Sequence, residues 1–244
     1  MAQAQAPMNR TAFVDLPWPI SQTESAWTPR RAGPAVGRVA ARDPAAKLPE
    51  AGKAVILEAG QLVYSEGDAV AASFTVQSGV LRACCYARDG RRQIDAFHRM
   101  GELIGVEAGH VYTQSVEALC TTILMPHAPY RLGGAGAASD GVLRILLGHA
   151  ATGLIRARAH AMLLGRRTAT EKLSLFLLDW GLVESHPVML TLPMPRHDIA
   201  DYLAMTAETV SRELHTLQRW GLITLFDSRR IWLAEPEGLR RLCV

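Results

Sequence analysis

Leu143, Leu147, Ala150, Leu154, Ala157, Ala161 and Leu164 recur at intervals of 4, 3, 4, 3, 4 and 3 residues. Such a run is a heptad seam over three heptads and predicts one unbroken helix across residues 140–165. At 1.5 Å per residue that helix is roughly 39 Å long, as wide as a small domain. It therefore divides the chain, and the segments on either side must fold as separate units. Asp140 stands where its N-cap is expected. Ile145, Leu146, Ile155, Met162 and Leu163 make a second apolar side that can serve contacts within the chain. The seam is then free to pair with a second copy, and the three alanines let two helices approach closely. The expectation is a homodimer.

The segment before this helix changes character once. Residues 1–50 are rich in Ala, Gln and Arg and carry Pro17, Pro19, Pro29, Pro34, Pro44 and Pro49. Proline at that density opposes helices and sheet ladders, so these residues read as a disordered leader. From residue 51 to about 139 the pattern is short strands: Val55–Leu57, Gln61–Tyr64, Ser73–Gln77, Val80–Arg82 and Arg92–Phe97. Val116, Leu119, Ile123 and Leu124 carry the last strands, which should end at Pro126. Gly60, Gly67, Gly79, Gly90 and Gly101 punctuate them. Short strands at such intervals indicate an antiparallel sandwich or roll.

Composition bounds the function classes. The chain has 244 residues, 26 Lys and Arg against 23 Asp and Glu, and a net charge of +3, which does not call for a polyanion. Its four cysteines, Cys84, Cys85, Cys120 and Cys243, form no Cys-x-x-Cys pair, which speaks against structural zinc. No stretch approaches the ~18 apolar residues of a membrane span. The first residues lack the pattern of a secretory signal. A cytoplasmic protein with reduced thiols is expected.

Residues 166–244 alternate helix and strand. Ala169–Trp180 is amphipathic, with Leu173, Phe176, Leu177 and Trp180 on one face, and Val188–Leu192 is a strand stopped by Pro193. Arg196–Leu203 and Ala207–Trp220 are two helices joined through Ala204 and Met205, with Thr206 as N-cap of the second. Ile199, Ala200 and Leu203 line one face of the first; Val210, Leu214 and Leu217 line one face of the second. This is a helix-turn-helix. Leu222–Leu225 and Arg230–Leu233 flank Phe226-Asp227-Ser228-Arg229 and read as a hairpin, placed as a wing.

Ala207, Glu208, Ser211, Arg212 and His215 remain on the outer face of the second helix, near the end that a recognition helix puts into the major groove. Arg212 can fork onto guanine O6 and N7, and Glu208 can accept from cytosine N4 or adenine N6. Ser211 is small enough to admit a thymine methyl or a phosphate. An acid on a DNA-facing helix is unhelpful by charge, so it argues for base readout. Arg196, His197, Thr206, Thr209, Arg229 and Arg230 lie where flanking phosphates would run. The plain alternative is a solvated helix with a Glu208–Arg212 pair at i, i+4; the wing that follows weighs against it.

Glu208-Thr209-Val210-Ser211-Arg212, with Leu192-Pro193-Met194-Pro195-Arg196 and Asp198-Ile199-Ala200-Asp201-Tyr202-Leu203 before it, resembles the signature of the cyclic-AMP-receptor/fumarate-nitrate-regulator (Crp/Fnr) superfamily. The Glu-x-x-Ser-Arg form points to its FixK-like and fumarate-nitrate branches. Asp89-Gly90-Arg91-Arg92-Gln93-Ile94 and Gly101-Glu102-Leu103-Ile104-Gly105 are similar to the family's β-roll. The resemblance covers residues 51–235 and implies an α+β chain: an N-terminal antiparallel β-roll of the cyclic-nucleotide-binding type, a dimerisation helix and a C-terminal winged helix-turn-helix. It also implies a homodimeric, non-enzymatic transcription activator that touches RNA polymerase in oxygen-limitation or nitrogen-oxide control. Glu208, Ser211 and Arg212 would read TTGA and TCAA half-sites about six base pairs apart. Ala204 departs from the family, which usually has glycine there; if the position needs positive φ, alanine costs about 1 kcal/mol.

The effector is argued from what the roll contains. Members that bind cyclic AMP follow Gly-Glu with an Arg-Ser/Thr pair that holds the phosphate. Here Tyr112-Thr113-Gln114-Ser115-Val116 carries no arginine, so a cyclic phosphate would lack its cation. Residues 1–83 contain no Cys, and adjacent Cys84 and Cys85 alternate across a strand, which argues against an iron–sulfur cluster. His98, His110 and His127 leave a haem- or small-ligand-dependent regulator of the same fold as the alternative. A cupin-like metal enzyme, with His98, Glu102 and His110 as ligands, is the remote one. Oxidation of a cysteine would need an exposed, low-pKa thiolate.

Overall fold

The computed structural model describes residues 53–87, 90–129, 140–166, 168–181 and 186–243; the leader expected over residues 1–50 lies outside them. Among the described residues, eight short strands precede the long helix: β1 (Val55–Leu57), β2 (Leu62–Tyr64), β3 (Ser73–Ser78), β4 (Leu81–Tyr86), β5 (Arg92–His98), β6 (Leu103–Ile104), β7 (Ser115–Ala118) and β8 (Thr122–His127). They form two four-stranded antiparallel sheets, ordered β1-β8-β3-β6 and β2-β7-β4-β5. The apolar positions that alternate along each strand meet between the sheets, where Val63, Phe74, Val76, Leu81, Val116 and Leu124 are buried together. This is the β-roll expected from the sequence. Gly79 turns β3 into β4 at φ +90°, and a Cβ there would stand 2.3 Å from Thr122 Oγ1. Only glycine fits that turn.

One strand expectation is corrected. Pro126 does not end the last strand but sits inside β8, opposite Phe74. β1 has already stopped at Val55, opposite Leu124, so at Pro126 the strand is flanked by β3 alone and a missing N–H is tolerated. The alternation of β4 is interrupted by a register shift between Ala83 and Cys84. Both of those residues are buried, and Cys85 is half-buried.

α1 (Asp140–Leu164) is the unbroken helix that the heptad spacing predicts. The side chains of Asp140 and Leu143 lie outside the described residues, so the N-cap expectation and the first seam position are not placed. α2 (Ala169–Gly181) follows, burying Leu173, Phe176 and Leu177. Then come β9 (Val188–Thr191), α3 (Arg196–Leu203), α4 (Ala207–Arg219), β10 (Ile223–Leu225), β11 (Arg230–Leu233) and the unexpected short helix α5 (Pro236–Arg241). The hairpin is the expected one, but β9 pairs with β11 and makes the wing a three-stranded sheet. The second core gathers Leu173, Leu177, Leu203, Leu214, Leu217 and Leu233, all nearly or fully inaccessible to solvent.

Candidate nucleic-acid interface

The helix-turn-helix is built by short-range chemistry. Ile199, Ala200 and Leu203 of α3 and Val210, Leu214 and Leu217 of α4 are buried against each other and α2. Ala204 ends α3 in the left-handed region (φ 50°, ψ 54°), the position where glycine is the unstrained residue. Its N–H and that of Met205 both donate to Ala200 O, closing the turn. Thr206 is the N-cap of α4: its Oγ1 accepts from Thr209 N at 3.1 Å and lies 2.9 Å from Thr209 Oγ1.

Burying that apolar stripe leaves Ala207, Glu208, Arg212 and His215 exposed on α4, with Ser211 half-buried among them. The side chain of Arg212 is 66% accessible and pairs loosely with Glu213 at 3.3 Å, so the i, i+4 pair with Glu208 is not the contact it makes. Ser211 donates to Ala207 O and accepts from Arg196 Nη1 at 3.0 Å. Arg196 is thus drawn from the start of α3 onto the recognition face, and its Nε is buried without a partner. At the wing tip Asp227 accepts from the N–H groups of Arg229 and Arg230 and from Arg230 Nε. Those bonds hold its carboxyl low, at about 2. Arg229 and Arg230 are exposed beside it, and His197 is exposed at the start of α3. Thr206 and Thr209 serve the cap, Ser211 and Arg196 bind each other, Arg230 binds Asp227 and His197 Nε2 lies 3.2 Å from Asp198 Oδ1, while Glu208, Arg212 and Arg229 are exposed. Residues 166–244 carry ten basic and ten acidic side chains, so this face is cationic by arrangement rather than by total.

Sequence reasoning missed what holds this unit against the β-roll. Asp198 of α3 is fully buried and accepts both Arg82 Nη1 (2.9 and 2.7 Å) and Arg92 Nη2 (2.6 Å). Arg82 also binds Glu117, and Arg92 binds Asp201 through Nε and Nη2. Gln93 Nε2 adds a bond to Asp201 O. The available signal was an acid on the apolar stripe of α3, next to Ile199. Beside this cluster Phe97, Phe176, Trp180 and Tyr202 pack as an aromatic group, and His160 of α1 stacks on Tyr202 at 4.0 Å.

On α1, Leu147 and Leu154 of the seam are 60% and 63% exposed, and Ala150, Ala157 and Ala161 are exposed with them, while Leu164 is half-buried. The second apolar side was expected to serve contacts within the chain. Only Leu163 does so fully; Ile145, Ile155 and Met162 also face solvent. Arg156 reaches the buried Glu102 carboxylate, which also takes His98 Nδ1 and Arg99 N. A cavity of about 770 Å³ lies between β5, α1 and α2, and in its lining Glu102 holds His98 and Arg156 while Arg99 reaches Asp179 at 3.7 Å.

The interior of the roll does not suit a cyclic nucleotide. Tyr112 stands at the segment where cyclic-AMP binders carry arginine. Its ring stacks on Tyr64 with centroids 3.8 Å apart, and its hydroxyl donates to Ala72 O and accepts from Ala72 N. The nearby Glu107 is buried and acidic, and binds Thr113. A phosphate there would meet a carboxylate and a buried phenol rather than a cation. Of the histidines considered for haem, His98 is held by Glu102 and His127 by Thr75, on different strands. Among the described residues no cluster of three or more His, Cys, Asp or Glu could hold a metal, and no helix is long and apolar enough to cross a membrane.

Comparison with known proteins agrees with this construction. Residues 171–242 match the Crp-like helix-turn-helix domain and residues 54–129 the cyclic nucleotide-binding domain. The chain is 38% identical over 184 residues to the nitrogen fixation regulation protein FixK of Rhizobium meliloti, covering 75% of this chain and 84% of that one. It is 31% identical over 188 residues to the transcriptional activatory protein AadR of Rhodopseudomonas palustris, covering 75% and 74%. The structure of FixK2 from Bradyrhizobium japonicum superposes with a TM-score of 0.70 at 31% identity, over 79% of this chain and 98% of that one. The chain belongs to the Crp/Fnr superfamily of DNA-binding transcription regulators, in its FixK-like branch.

Proposed function

We propose that this activator binds DNA as a homodimer paired along α1, reading a TTGA…TCAA palindrome with Glu208, Ser211 and Arg212 and gripping flanking phosphates with Arg196, His197, Thr206, Thr209, Arg229 and Arg230. The observation that carries the reading is the outer face of α4. It offers one exposed guanidinium, one carboxylate and one hydroxyl within its first two turns, all beside the end a major groove accepts. The exposed leucines of α1 supply a self-complementary surface, which a two-fold palindrome requires. The division into a leader (1–50), β-roll (51–139), dimer helix (140–165) and DNA-binding part (166–244) belongs to the same reading. By likeness to the FixK proteins the regulated processes belong to oxygen limitation or nitrogen-oxide metabolism, and the bound dimer contacts RNA polymerase.

Selection of bound sites from random DNA tests this, run with and without cyclic AMP, haem and oxidant. Recovery of a two-fold TTGA-type site without any additive is the expected outcome. A single, non-repeated half-site, or binding only when haem is added, overturns the homodimer or the effector-free reading respectively.

A further inference from the structure

We propose that Arg82 and Arg92 of the β-roll are positioning residues for operator binding: through Asp198 and Asp201 they set the bearing of the helix-turn-helix and hence the half-site separation the protein accepts. Three observations carry this. The acceptor is a wholly buried carboxylate on α3, the helix that packs directly on α4, so its position is passed on to the reading face. Its two cations come from different strands, β4 and β5, and reach it at 2.6–2.9 Å, so it is fixed from two directions. Arg92 and Gln93 hold Asp201 one turn further on, which adds a second fixed point on α3 and removes rotation about the first. Two points on one short helix define its direction. Charge-assisted bonds of this length are among the strong ones, and they lose their geometry if the helix turns.

The dimer frame is made of the β-roll and α1, and each DNA-reading unit joins that frame after α1. Half-site spacing in a two-fold complex is a geometric property of the frame-to-reader angle. A reader held only by the chain connection would tolerate several spacings; one held by the clamp selects one. None of the clamp residues is needed to touch a base, so identity at each base pair is left to α4.

The inference rests on the palindrome reading above. Its test uses the full chain and palindromes whose spacer is lengthened or shortened by one base pair at a time. Arg82→Gln leaves Arg92 on Asp198, and Arg92→Gln leaves Arg82 on it, so neither variant strands the buried carboxylate without a cation. Each should lower the ratio of affinities for the best and the next-best spacing by about fivefold. Base preference within a half-site should stay as in the wild type, and thermal unfolding should remain one cooperative step. Arg92→Lys, which keeps one charged bond, should fall between. An unchanged spacing ratio in both variants overturns the proposal, as does loss of base preference together with spacing preference or a folded variant that binds no site. A wild-type protein that binds the palindrome but is indifferent to its spacing overturns this proposal and leaves the palindrome reading standing; one that prefers no two-fold site removes both.

Discussion

Arg196 Nη1 donates to Ser211 Oγ at 3.0 Å, tying the first residue of α3 to the recognition face of α4. In the proposed reading the guanidinium of Arg196 bridges to the DNA backbone, whereas the exposed Arg212, held only loosely by Glu213, meets a base. The two should separate experimentally. Arg212→Ala should cost about 1–3 kcal/mol at one G·C pair per half-site and relax preference there alone. Arg196→Ala should weaken all sites alike and reduce the salt slope by about one. Fluorescence anisotropy against single-substituted operators at several salt concentrations distinguishes them.

Leu154 stands in the middle of the α1 seam, 63% exposed in the single chain. Leu154→Glu would put a carboxylate at the centre of the proposed helix pair. Sedimentation should show a monomer and palindrome binding should fall sharply, while a single half-site is still recognised. A variant that sediments as a dimer would show that the copies pair elsewhere.

Ala204 occupies the left-handed region at φ 50°. Ala204→Gly removes the clash of Cβ with its own backbone but adds freedom to the unfolded chain. The net expectation is a gain of about 0.5–1 kcal/mol in urea unfolding, with operator preference unaltered.

Burial, helped by the carboxylates of Glu66 and Asp95, pushes the Cys85 thiol up to about 11. Burial raises Cys84 too. Because the folded value lies above the ordinary 9.0, the neutral thiol is the favoured form. Whatever stability this adds is present below about pH 9 and is lost as pH rises through 11. Alkylation of Cys85 followed by mass spectrometry should be slow at pH 7 and accelerate only in strong alkali. Rapid labelling at neutral pH would make this residue a candidate redox sensor after all.

Periodicity carried most of the architecture. The 4-3 spacing predicted α1 to within a residue, and the buried stripes of α3 and α4 fall on the apolar positions read from their spacing. What was not legible depended on pairing between distant segments. β9 looks like a lone strand until β11 is laid beside it. Pro126 looks like a terminator until β1 is seen to have stopped. The hold of Arg82 and Arg92 on Asp198 spans more than a hundred residues of chain, and no local pattern encodes such a distance. The bond from Arg196 to Ser211, between the start of α3 and α4, is visible only with the two helices in space.

The stacked rings of Tyr64 and Tyr112 have a mechanical consequence. Protein interiors packed by their own side chains are stiff, with little room to change shape. The sheet that carries Arg82 and Arg92 is braced from behind by those rings and the core around them. On the proposed reading the roll would act as a rigid jig, its stiffness behind Arg82 and Arg92 supplied in part by two stacked tyrosines.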